Sequence, residues 1–118
     1  MAITGPTELI DGAEWIGSPA IGLGELRAGF LLGGQQERNE TMLAEFLAYA
    51  VVDVLDVDDE VSRHYADIVL DLRRAGRSIP TNDIWIAATA ARAGAMVLSS
   101  DDHVTAIARV GSIMLTQG

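Results

Sequence analysis

Residues 80–101 read PTNDIWIAATAARAGAMVLSSD, and the alternation inside this stretch decides the fold. Ile79-Pro80 breaks the helical pattern that precedes it. Thr81 or Asn82 offers a side-chain oxygen to cap a helix over residues 83–92, and Gly94 ends that helix. The alanines Ala87, Ala88, Ala90 and Ala91 permit close approach to a sheet. Met96-Val97-Leu98-Ser99 follows as a buried strand, with Asp101 directly after it. Beyond it, residues 102–109 read as a short helix and residues 112–115 as a last strand.

Working back toward the N-terminus, residues 51–57 (VVDVLDV) are β-branched and alternate from Val52, so they read as a strand. Asp58-Asp59-Glu60 opens the next helix. Arg73 and Arg74 close it and Gly76 lies beyond, a polarity that suits the helix dipole. Val61, Tyr65, Ile68 and Leu72 give it an apolar stripe at helical spacing. Earlier still, Glu14-Trp15-Ile16-Gly17 reads as a short strand. Ser18-Pro19 reads as a cap and first helical turn, opening a helix through Ile21, Leu23, Leu26 and Phe30 that stops at Gly33-Gly34. A second helix spans residues 37–50, with Leu43, Phe46, Leu47 and Ala50 on one face. Strands alternating with helices imply parallel βαβ units and a layered α/β fold.

The chain has 118 residues, the size of one domain. It is 49% hydrophobic and 21% charged, the balance of a globular core. Seventeen acids against eight bases, all arginine, give a formal net charge of −9. That excludes binding of nucleic acid through a broad basic surface, and favours a basic partner. No cysteine is present, which excludes disulfides, thiolate zinc sites and cysteine nucleophiles. No apolar run approaches the roughly 18–20 residues that span a bilayer, and residues 1–11 lack the charge and apolar pattern of a secretory signal. The expectation is a cytoplasmic protein.

The sequence holds no GxGxxG, GxxxxGK[ST] or GxSxG. His64 and His103 form no HExxH pair and read as surface residues. The carboxylates say more. Asp101 follows an apolar strand, and the carboxyl ends of strands are where ligands bind in open α/β sheets. Asp83 sits in the first turn of its helix, before Ile84, Trp85 and Ile86. Glu25 lies between Leu23 and Leu26 in an apolar helix. Acids in such surroundings need a partner or a cation, and Mg²⁺ takes one or two carboxylates and keeps several waters. Each also has a plainer reading. Asp83 and Asp101 could cap helices, and Glu25 could face solvent. Asp53, Asp56, Asp58, Asp59 and Glu60 read as a solvated edge and helix start. Trp15 and Trp85 read as core aromatics.

Three stretches resemble the acidic motifs of PIN-domain nucleases. Residues 20–30 (AIGLGELRAGF) resemble the second motif, residues 79–88 (IPTNDIWIAA) the third and residues 97–104 (VLSSDDHV) the fourth. Arg38, Asn39, the strand at 51–57 and Arg73-Arg74-Ala75-Gly76 sit in the expected order, so the likeness covers nearly the whole chain. The nearest branch is the VapC toxins of toxin–antitoxin pairs. The resemblance implies a three-layer α/β sandwich, a parallel sheet flanked by helices. It implies an endoribonuclease dependent on Mg²⁺ or Mn²⁺, with Glu25, Asp83 and Asp101 as catalytic metal ligands and Asn82 and Ser99 supporting them. It also implies an RNA substrate, an antitoxin partner with a basic tail, and a homodimer.

The N-terminus departs from the family. Members begin with a hydrophobic strand ending in Asp-Thr or Asp-Ser, which supplies a first acid. Residues 1–6 (MAITGP) are too short for it, and Glu8 and Asp11 fall in what resembles the following helix. The expectation is a single PIN-like domain over residues 1–118 that is N-terminally incomplete, with its first strand absent. Two explanations fit: an encoded start further upstream, or a truncated domain that binds an antitoxin with impaired catalysis. Val104 stands where the family has an aromatic, a local packing difference.

Overall fold

The computed structural model describes residues 15–95, 97–99 and 112–114. The elements, in chain order, are β1 (Ile16–Pro19), α1 (Ala20–Leu32), α2 (Gln36–Leu47), β2 (Val52–Leu55), α3 (Asp59–Arg74), α4 (Thr81–Ala93), β3 (Val97–Ser99) and β4 (Ser112–Met114). The helix expected over residues 102–109 and the N-terminal residues 1–14 lie outside the described residues.

Both strand pairs are parallel, as the alternation requires. β1 pairs with β2 in the register Ile16↔Val52 to Pro19↔Leu55, and α1 and α2 form the crossover between them. β3 pairs with β4 in the register Val97↔Ser112 to Ser99↔Met114. A parallel pair needs a crossover of a dozen residues or more, and the helical hairpin supplies it. Helix α4 touches both β1 and β3, so one helix lies against both pairs.

The core sits between α3 and α4. Val61, Ile68 and Leu72 of α3 meet Ile84, Ile86, Ala87, Ala88 and Ala90 of α4. This is the apolar stripe read from the sequence, joined by the alanine face. Ile68 is wholly buried, worth about 2–3 kcal/mol by transfer from water. Tyr65 and Trp85 stack at the edge of this core, with ring centroids 3.9 Å apart and planes inclined by 17°. Trp85 is therefore a packing residue, as expected.

Helix ends follow local chemistry. The Asp58 side chain accepts a hydrogen bond from the Val61 amide at 2.9 Å and caps α3. At the other end Gly76 takes φ +65°. Its amide bonds the Arg73 carbonyl at 3.1 Å, and the Arg77 amide reaches back to the Leu72 carbonyl at 2.9 Å. These two bonds define a Schellman closure, which needs a residue in the left-handed region. Gly94 closes α4 in the same way, with φ +67° and Ala95 donating to Ala90.

Three local expectations are corrected. Ser18 does not cap α1: β1 runs through Pro19, and α1 begins at Ala20 without a side-chain cap. Thr81 and Asn82 do not cap α4. The helix starts earlier, and the Pro80 carbonyl receives the amides of Asp83 and Ile84 at 3.1 and 3.3 Å. Trp15 is not a core residue. It lies 41% exposed over Gly17 and Leu55, with its indole N–H donating to Asp53 Oδ2 at 2.9 Å. A Cβ on Gly17 would fall 2.5 Å from the Trp15 ring, so the ring comes this close to the strand only because Gly17 lacks one.

Candidate active site

Glu25 and Asp83 are carried by two helices that touch. Helix α1 starts directly after β1, which puts Glu25 in its second turn, and α1 packs against α4. The sequence of α1 is a mediocre helix former, since Gly22, Gly24 and Gly29 each cost about 1 kcal/mol relative to alanine. Burial holds it in place. Gly22 and Leu23 are buried, and Ile21 packs on the α3–α4 core. Ile21 and Glu25 are four residues apart and share a face of the helix. The carboxylate of Glu25 is thus exposed on the stripe whose other end is anchored against α4.

Asp83 is half-buried in the first turn of α4. There the unpaired amides of the helix start carry partial positive charge, which stabilises a carboxylate. Ile84 and Ile86 beyond it are buried, so the turn that carries Asp83 is fixed by the core. Asn82 is exposed beside it. Ser99 ends β3, its backbone paired with Met114. Asp101, the third expected ligand, lies outside the described residues, as do Glu8 and Asp11. Among the described residues no three acids or histidines converge as a metal cage. Glu25 and Asp83 are carboxylates, the hard oxygen donors that Mg²⁺ takes one or two at a time with several waters, and they stand on two helices that touch.

One residue near this region escaped the reading of the sequence. Ser18 is 1% exposed at the carboxyl end of β1, and its Oγ has no hydrogen-bond partner among the described residues. The hint was present in its position between an apolar strand and the helix of Glu25, but the cap reading sent it to the surface. The Gly76 reversal returns the backbone of Arg77 to the end of α3, beside Arg73 and Arg74.

Parallel strands joined by helical crossovers, with acids at the starts of helices packed on them, define a layered α/β domain of the kind that binds ligands at strand and helix ends. Comparison with known proteins narrows the class. Residues 7–110 match the PIN domain. Ribonuclease VapC4 of Mycobacterium tuberculosis is 36% identical over 104 residues, which cover 88% of this chain and 79% of the relative. Ribonuclease VapC5 of the same organism is 32% identical over 98 residues, 83% of this chain and 73% of the relative. The crystal structure of VapBC-5, a member of the VapBC toxin–antitoxin family from Mycobacterium tuberculosis, superposes with a TM-score of 0.67. The identity there is 32%, and the match covers 82% of this chain and 79% of that one. The chain belongs to the PIN-domain family, in its VapC branch.

Proposed function

We propose that this chain is the ribonuclease toxin of a toxin–antitoxin pair, a divalent-metal-dependent endoribonuclease acting in the cytoplasm. The observation that carries the reading is the PIN match over residues 7–110, with Glu25 and Asp83 held on two touching helices inside that span. Glu25, Asp83 and Asp101 would hold Mg²⁺ or Mn²⁺, with Asn82 and Ser99 supporting the ligands. A bound ion would supply an activated water and charge stabilisation at the phosphorus centre. The chain's own part is to fix the donors. The α3–α4 core fixes the helix that carries Asp83, and the contact of α1 with α4 fixes the helix that carries Glu25.

The partner follows from charge and kinship. A net charge of −9 favours a basic segment, and the VapBC-5 relative is a member of a toxin–antitoxin family. The proposal therefore includes an antitoxin with a basic tail, and pairing of two copies of the chain. The test is cleavage of RNA by this chain with Mg²⁺ or Mn²⁺ and with a chelator, beside Asp83→Asn. Metal-dependent cutting that Asp83→Asn abolishes supports the reading. Cutting that the substitution leaves unchanged overturns it.

A further inference from the structure

We propose that Arg73, Arg74 and Arg77 form a binding site for the phosphates of an RNA strand, beside the Asp83 end of α4. The inference rests on the ribonuclease reading above and names where the substrate backbone is held. In a chain of net charge −9 with eight arginines, three fall within residues 73–77. All three are exposed. The dipole of α3 accounts for Arg73 and Arg74, which lie in its last turn. Arg77 lies past the Gly76 reversal, outside the helix. The Schellman closure holds the Arg77 amide 2.9 Å from the Leu72 carbonyl, so the backbone of a third arginine is carried back to the same helix end. Like charges gathered this way repel one another unless an anion lies between them.

Three of the other arginines have partners. Arg27 pairs with Glu40 at 3.5 Å, Arg63 with Asp59 at 3.2 Å, and Arg38 donates to Gln35 at 3.2 Å. The Arg27–Glu40 and Arg63–Asp59 ion pairs do not involve Arg73, Arg74 or Arg77. Position completes the argument. Residues 75–80 join the end of α3 to the start of α4, so the cluster and Asp83 share one end of the helical hairpin. Asp83 lies six positions after Arg77, a backbone reach of at most about 20 Å. A single strand lying across this end can have its phosphates on the guanidiniums while a neighbouring phosphate meets the carboxylates. Arginine suits the task, since its planar fork matches phosphate.

The experiment compares the full chain with Arg73→Gln/Arg74→Gln/Arg77→Gln and with the control Arg63→Gln. A labelled single-stranded RNA oligonucleotide serves as probe, with binding and cleavage followed between about 50 and 200 mM KCl. The expected result is a KM raised about tenfold with kcat retained, and a salt slope reduced by about 2, roughly 0.7 for each lost phosphate contact. Arg63→Gln leaves both unchanged. If the triple variant does not fold, Arg77→Gln alone carries the test, with a slope reduced by about 0.7. Active wild-type protein with an unaltered KM and slope in the variants overturns this site and leaves the ribonuclease reading standing. The same holds if the variants lose antitoxin affinity but not RNA affinity. Wild-type protein that neither binds nor cuts RNA overturns both.

Discussion

Two buried hydroxyls, Ser18 and Thr89, should respond to removal with opposite signs. Ser18 is 1% exposed and its Oγ has no hydrogen-bond partner among the described residues, whereas Thr89 is 2% exposed and its Oγ1 donates to the Trp85 carbonyl at 2.8 Å. Burying a hydroxyl without a partner costs about 1–3 kcal/mol. Ser18→Ala removes that penalty and leaves a void of one oxygen atom, which returns only a few tenths at about 24 cal/mol per Å³. The net expectation is a gain of about 1 kcal/mol. Thr89→Val keeps the shape and the β-branch but loses a satisfied bond, at a cost of about 1 kcal/mol. With a urea m-value of about 2 kcal/mol/M, Ser18→Ala should raise the unfolding midpoint by roughly 0.5 M and Thr89→Val should lower it by a similar amount. Equilibrium urea unfolding followed by tryptophan fluorescence and circular dichroism reads both, and coincident transitions establish two-state behaviour. A midpoint lowered by Ser18→Ala to the same degree as by Thr89→Val would refute the reasoning, because it would mean that the Ser18 hydroxyl is satisfied in the folded chain.

Other perturbations have simpler readouts. Gly29→Ala should stabilise by about 1 kcal/mol, since a Cβ there meets no atom within 4 Å and glycine weakens the exposed helix α1; a thermal midpoint that falls would contradict this. Asp58→Ala removes the cap on the Val61 amide and should cost about 1 kcal/mol in the same urea titration, with an unchanged midpoint refuting the cap.

The readable parts of the fold were those where several local signals agreed. Helix α3 had an acidic start, an apolar stripe, a basic end and a glycine beyond, and it runs from Asp59 to Arg74 with Gly76 in the left-handed region. The starts of α1 and α4 were misjudged for a shared reason. Ser18-Pro19 and Pro80-Thr81-Asn82 both carry capping residues, yet an apolar strand upstream of Ser18 and the Pro80 carbonyl decide where each helix begins. Capping preference is weak beside pairing and burial. Trp15 was misplaced because an aromatic flanked by apolar residues resembles a core position, whereas Gly17 makes room for it on the outer surface of the strand.

Spacing left the candidate site as a possible acidic site and no more: Glu25 and Asp83 stood out as acids among apolar residues, and the resemblance of residues 20–30, 79–88 and 97–104 to PIN motifs named them, with Asp101, as ligands. The contact of α1 with α4 puts the helices of the first two side by side. Nothing local marked Ser18 as buried or Arg77 as turned back toward Arg73. Both depend on three-dimensional facts, the depth of β1 and the reversal at Gly76, that a periodicity cannot carry.

The most direct test of the account is RNA cleavage by the 118-residue chain in Mg²⁺ or Mn²⁺, with and without chelator, set against a folded Asp83→Asn variant. The account predicts cutting that stops with chelator and falls by orders of magnitude in Asp83→Asn, because one carboxylate fewer both weakens the ion and misplaces its water. Equal cutting by the two proteins, or cutting indifferent to chelator, would contradict it.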